Sequence, residues 1–276
     1  MIRIALKVAN RDICTWGDCI KAVKCLQAAV CNRIPLSSTN YLYMPTIFDN
    51  TIRKYQAIFH PVVNFDPSHD KLLPLDFTAN NKEMTADIID DTARFSAYVD
   101  GKLQAAHAKY GIGGYDEHRT VYNRSKLFDG ASPGEEPRRL HLGVDIWGPA
   151  GTPVYAFMGG MVHSLAFNDR HGDYGATLVL LHQLDGLPFY TLYGHISLAD
   201  IQFLTAGQYV SVGQTIAHFG KPEENGHWPP HLHFQVILDM ELKEGDYPGV
   251  CKYSERSKYL SNCPDPDLIL QLERYT

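Results

Sequence analysis

The chain has 276 residues, 45% of them apolar, enough for one large domain or for a catalytic domain with a smaller companion and too apolar for an intrinsically disordered chain. Its formal charge of -6 and isoelectric point near 6.1 argue against a nucleic-acid-binding surface, which needs a local excess of Lys and Arg. No stretch reaches the roughly 18 consecutive apolar residues of a membrane-spanning helix, and the start, charged at Arg3, Lys7, Arg11 and Asp12, lacks the apolar core of a secretory signal, so the expectation is a soluble chain, cytoplasmic as written.

In chain order, residues 1 to about 45 read as a short strand, an amphipathic helix near Asp18 to Cys31, and a turn-rich exit through Pro35, Ser37 and Asn40. The six cysteines, Cys14, Cys19, Cys25, Cys31, Cys251 and Cys263, include no C-x-x-C pair, which speaks against a cysteine zinc knuckle. Cys19 and Cys25 share a helical stripe with Ile20, Val23, Leu26 and Val30, so reduced, packed thiols are expected rather than disulfides. Pro61, Pro67 and Pro74 mark extended, irregular chain. From Thr78 the chain supplies capping residues, and Met84, Ile88, Phe95, Val99 and Leu103 recur at helical spacing as far as Tyr110, where Gly111-Ile-Gly-Gly should stop the helix.

The polar stretch from Asp129 to Pro137, D-G-A-S-P-G-E-E-P, is the clearest boundary signal. It divides an α-containing N-terminal region, 1–130, from a mainly β portion, 131–276, with an extension from about residue 240; the whole is α+β. After the boundary come short β-rich segments beginning at Gly151, Gly160, Ala176, Phe189, Gln208, Gln214 and His231, most separated by glycine or proline. An antiparallel β domain follows from that spacing.

Three segments carry chemistry. Strand alternation turns His141, Gly143 and Asp145 of H-L-G-V-D to one face and Leu142, Val144 and Ile146 to the other. The same parity groups His231, His233 and Gln235 against Leu232, Phe234 and Val236, and groups Thr191, Tyr193 and His195 against Leu192 and Ile196. If the strands pair, five titratable groups converge. Imidazole and carboxylate are borderline ligands suited to zinc, and three of them leave one position open, as in a catalytic site. A histidine not bound to metal is then available to move protons.

The segments R-R-L-H-L-G-V-D-I, G-T-P-V-Y-A-F-M-G-G-M-V, Y-T-L-Y-G-H-I-S, L-T-A-G-Q-Y-V-S-V-G-Q-T-I and P-P-H-L-H-F-Q resemble, in order over residues 138 to about 238, the signatures of the lysostaphin-type zinc metallopeptidases. The resemblance implies one Zn2+ per chain on His141, Asp145 and His233, with His195 and His231 as catalytic residues. It also implies a flattened antiparallel sheet with a groove, and hydrolysis of peptide bonds in peptidoglycan, in the cell envelope or outside the cell. A noncatalytic binding or regulatory module on the same scaffold is disfavoured by the intact set of five; a zinc hydrolase of an intracellular amide is the alternative that the missing export signal suggests. Some members of the family place an oxyanion-steadying tyrosine shortly before the first zinc histidine, where this chain has Glu135-Glu-Pro-Arg-Arg-Leu; Tyr122 or Tyr193 are the substitutes to examine. Residues 113–128, rich in hydrogen-bonding side chains, are candidates to cap the groove, and His171 and His227, in glycine-containing loops, to touch substrate at its edge.

Overall fold

The sequence H-L-H-F-Q-V-I alternates polar and apolar side chains and forms the strand His231–Ile237 (β11). The computed structural model, which describes residues 46–276, sets this strand between Val144–Trp147 (β4) and Leu187–Ile196 (β8), antiparallel to both. Leu232, Phe234 and Val236 on one face of β11 join Val144, Ile146 and Tyr193 in the main core. Each such burial stabilises the fold by about 1.5–3 kcal/mol. The opposite face is left to His231, His233 and Gln235.

Among the described residues this sheet has eight strands. Leu72–Pro74 (β1) and Tyr110–Gly113 (β2) precede β4, and beyond β8 lie Gly175–Leu184 (β7), Gly160–Asn168 (β6) and Tyr209–Val210 (β9), giving the order β1-β2-β4-β11-β8-β7-β6-β9. Every pairing is antiparallel except β1 with β2. Two small ribbons complete the β structure among the described residues: Pro153–Tyr155 (β5) with Thr215–His218 (β10), and Leu140–His141 (β3) with Val250–Cys251 (β12). The fold is thus mainly β, and the seven β segments expected after residue 150 all contribute strands.

Helices flank it. Ile47–Tyr55 (α1) starts at a capping box in which Thr46 and Asp49 exchange side-chain bonds with each other's backbone. The single helix expected from about residue 78 to Tyr110 is instead two, Ala86–Ile89 (α2) and Thr92–Ala106 (α3), because the Asp91 side chain accepts from Arg94 N and starts a new helix there. The second ends at His107 in a left-handed conformation, so Tyr110 is already in β2 rather than in a last helical turn. Phe95, Val99 and Leu103, spaced by four on α3, are buried against Phe77, Trp147 and Trp228.

The Asp129–Pro137 stretch is a largely exposed loop, but packing continues across it: β2, which precedes it, pairs with β4, which follows it, and the described residues, 46–276, cluster as one compact unit. The extension after residue 240 is also structural, since Met240, Tyr247, Cys251 and Cys263 share a buried cluster with Leu140, Leu142, Tyr174 and Leu192. Cys251 and Cys263 are buried free thiols. The helix expected near 18–31 and its four cysteines lie outside the described residues. Among the described residues no helix is long and apolar enough to cross a membrane.

Candidate metal centre and groove

The register of β4 on β11 places His233 opposite Asp145 and His231 opposite Trp147, so two of the expected ligands are cross-strand neighbours on one face. His141 arrives from β3, a separate strand; the chain breaks at Leu142-Gly143, and Leu142 packs in a different cluster from Val144 and Ile146. The simple alternation expected along H-L-G-V-D therefore does not hold. Gly143 permits the close approach of β11 at this point, because a Cβ there would stand 2.4 Å from His233 Cε1 and 2.9 Å from the Phe234 carbonyl oxygen.

His141 Nε2 lies 2.9 Å from His233 Nδ1 and 3.2 Å from Asp145 Oδ1, and His233 Nδ1 lies 3.0 Å from the same oxygen. The partners of the other ring atoms fix the protons. His141 Nδ1 donates to the Gly114 carbonyl at 2.9 Å, and His233 Nε2 to Gln235 Oε1 at 2.9 Å. Gln235 is oriented for this because its amide nitrogen donates to the Pro248 carbonyl and to Cys263 Sγ. Two imidazole lone pairs and a carboxylate oxygen then converge with no proton assigned between them. Such a triangle, 1–3% exposed, is unfavourable on its own and suits a divalent cation, for which these three residues offer ligand atoms within 4.8 Å of one another.

The electrostatics agree. Burial alone would raise the Asp145 carboxyl, but His141 and the Arg119 guanidinium, whose Nη1 is 2.5 Å from Oδ2, outweigh it and hold the group well below the usual carboxylate range. Burial, with Arg119 nearby, lowers His141 to about 4, so its ring is neutral and able to act as a ligand at neutral pH.

His195 and His231 stand beside this triangle, with ring centroids 4.2 Å apart. His231 Nδ1 donates to the Pro229 carbonyl at 2.8 Å, and its ring stacks on Trp147 at 3.9 Å and 13°. His195 Nδ1 donates to the Asn225 carbonyl at 2.8 Å. In both rings the Nε2 lone pair is left open. Burial lowers His231 to about 4; burial, His231 and His233 together hold His195 well below the ordinary histidine range.

Here the strand parity misleads. Gln235 faces Leu192 and Phe234 faces Tyr193 across β11 and β8, so Tyr193 points into the main core, away from the site, and regular alternation would send His195 after it. An extra residue on β8, where Tyr193 to Ile196 runs opposite only Leu178 to Ala176 of β7, together with φ +61 at His195, swings that side chain back to the groove. The left-handed backbone of a non-glycine residue costs about 1–2 kcal/mol, held by the surrounding sheet. Tyr193 is thereby removed as a groove tyrosine, while Tyr122 lines the groove with His141, Asp145, Trp228 and His231. Its hydroxyl accepts from Arg119 Nη1 at 3.4 Å, and burial raises its pKa, so it keeps a hydrogen to donate.

Residues 113–128 supply Arg119, Val121, Tyr122, Leu127 and Phe128 to the groove wall. His171 and His227 stack on each other at 5.5 Å, exposed, outside that wall; their neighbours Gly172 and Trp228 line it. Sequence reasoning missed Arg119 and the orienting role of Gln235. The second had a signal, since H-x-H-x-Q puts all three side chains on one face.

Residues 139–244 match the model of peptidase family M23. The DD-carboxypeptidase/endopeptidase Mpg of Neisseria meningitidis serogroup B is 34% identical over 101 residues, 37% of this chain and 21% of that protein. The L-Ala--D-Glu endopeptidase of Bacillus subtilis is 27% identical over 134 residues, 47% of this chain and 39% of that one. The alignments thus span about a fifth to two fifths of these relatives. Among solved structures, the catalytic domain of lysostaphin from Staphylococcus simulans aligns with a TM-score of 0.37 and 21% identity over 64% of this chain and 97% of that one.

Proposed function

We propose that this chain, which carries a domain of peptidase family M23 over residues 139–244, is a zinc-dependent metalloendopeptidase acting on peptide bonds of peptidoglycan. The observation that carries the reading is the triangle of His141 Nε2, Asp145 Oδ1 and His233 Nδ1, three lone-pair donors with their protons turned elsewhere. One zinc ion per chain would be held there. When bound, zinc supplies Lewis acidity, lowering the pKa of water and polarising a carbonyl. The remaining work falls to the protein. His231 and His195, each steadied through Nδ1 by a backbone carbonyl, use Nε2 to take a proton from the attacking water and to return one to the leaving nitrogen. The Tyr122 hydroxyl donates to the oxyanion that develops on the scissile carbonyl. Trp147 and Trp228 shield the rings from bulk water.

On this reading the catalytic portion is 131–276, and Arg119, Val121, Tyr122, Leu127 and Phe128 from before it add part of the groove wall. Peptidoglycan is supported as substrate by the names of the two aligned endopeptidases, and by implication the cell envelope is the site of action. Incubating the protein with purified peptidoglycan, with and without chelator, tests the reading. New amino termini that vanish with chelator and return with added zinc are expected. A protein that binds zinc yet leaves peptidoglycan intact points to another amide substrate, and one that takes up no metal removes the proposal.

A further inference from the structure

One buried cation in the groove wall has no part in the proton transfers. The Arg119 side chain is 2% exposed and is held in every direction: Nη1 donates to Asp145 Oδ2 at 2.5 Å, Nε to Glu117 Oε2 at 2.6 Å and Nη2 to the Gly114 carbonyl at 3.1 Å. The same Gly114 carbonyl accepts from His141 Nδ1. Arg119 is therefore joined directly to one of the three candidate ligands and through a shared acceptor to a second. Gly113, where a Cβ would stand 2.7 Å from Nη2, keeps the space for the fork clear.

A carboxylate can give a metal one oxygen or two, and the second oxygen would fill a coordination position that a catalytic site needs open. In Asp145 the two oxygens have separate partners. Oδ1 faces His141 Nε2 and His233 Nδ1, whereas Oδ2 is turned to the guanidinium. Resting on the zinc-peptidase reading above, we propose that Arg119 is a positioning residue that occupies Asp145 Oδ2, so that Asp145 offers zinc a single oxygen and the remaining position stays free. The planar fork matters as much as the charge. A lysine ammonium brings one donor centre, which cannot serve Asp145, Glu117 and Gly114 together.

Zinc affinity and the visible spectrum of the cobalt(II)-substituted protein, measured on the whole chain, test this apart from turnover. In Arg119→Lys and Arg119→Met, zinc affinity should fall about 10- to 100-fold, as for other residues that orient a ligand. Cobalt absorption should weaken as well, because five-coordinate cobalt absorbs less than four-coordinate, a change that general loosening of the fold does not produce. Glu117→Gln leaves the Asp145 contact in place and should retain both the affinity and the spectrum. Arg119→Lys keeps the buried charge and serves if Arg119→Met does not fold. A folded Arg119→Lys with wild-type zinc affinity and an unchanged cobalt spectrum overturns the positioning role and leaves the peptidase reading standing. Wild-type protein that takes up neither metal overturns both.

Discussion

His141, on the small β3–β12 ribbon, and His182, on the eight-stranded sheet, are each 1% exposed and each lowered by burial to about 4, yet they do different things. His182, on β7, packs against Phe157 and Phe189, donates from Nδ1 to the Gly159 carbonyl at 3.0 Å and accepts at Nε2 from the Thr191 hydroxyl at 2.7 Å. Every polar atom of its ring is answered. His141 has one nitrogen answered by Gly114, and the other aimed at two further lone pairs. Depth of burial and a depressed pKa therefore do not distinguish a metal ligand from a packed core residue; the direction of the second lone pair does.

The largest effect on turnover should come from the convergent lone pairs. Removing one by His233→Ala or Asp145→Ala should abolish zinc binding and, with it, several kcal/mol of charge stabilisation, about 10³-fold or more in rate. Elemental analysis beside peptide hydrolysis checks this, and a zinc-replete His233→Ala breaks the contrast drawn with His182. Next come the rings with one open nitrogen. His231→Ala and His195→Ala should keep zinc and lose about 10² to 10⁴ in rate. If His231→Ala lost the metal while His233→Ala retained it, the two roles would be exchanged.

The ligand set was legible in the sequence because it is local. H-x-x-x-D and H-x-H are short patterns, and Gly143 between the first pair marks the close approach of His233. His195 was legible as a residue but not as a direction, since the backbone turn at φ +61 and the extra residue around it on β8 come from the pairing of β7 with β8. Arg119 was legible only as one member of the polar segment 113–128, not as the partner of Asp145. Its partner lies 26 residues away, across a loop that reads as a boundary, and nothing near Arg119 in sequence announces Asp145. The helix break at Asp91 is a smaller case, in which a capping aspartate overrides a hydrophobic period that runs through it.

The two tyrosines sharpen the comparison at an intermediate scale. Tyr122→Phe removes a donor from the groove and should lower turnover about 10² to 10³-fold with zinc retained. Tyr193→Phe, buried in the main core beside Phe234, should leave turnover unchanged. A Tyr193→Phe variant that lost activity while its zinc content and stability held would show that the groove is not where this geometry puts it.

The smallest effect on turnover belongs to His182, and it should appear only as stability. Its folded-state pKa of about 4 lies below the ordinary 6.5, so the unfolded chain takes up the proton first. The sign follows from linkage: the stabilisation from keeping this ring neutral is fully present above pH 6.5, declines as pH falls from 6.5 toward 4, and is exhausted below that. The shift corresponds to about 3 kcal/mol over the window. His182→Gln has nothing to protonate there. At neutral pH it should be less stable than wild type, because a well-packed imidazole with two hydrogen bonds is lost, but the gap should narrow by up to about 3 kcal/mol as pH drops to 4. Urea unfolding of both proteins at several pH values measures that gap, with turnover at pH 7 as the companion reading. A gap that stays constant across the window would mean that His182 is not held neutral by its carbonyl and hydroxyl partners, and the distinction between an answered ring and an open one would lose its reference point.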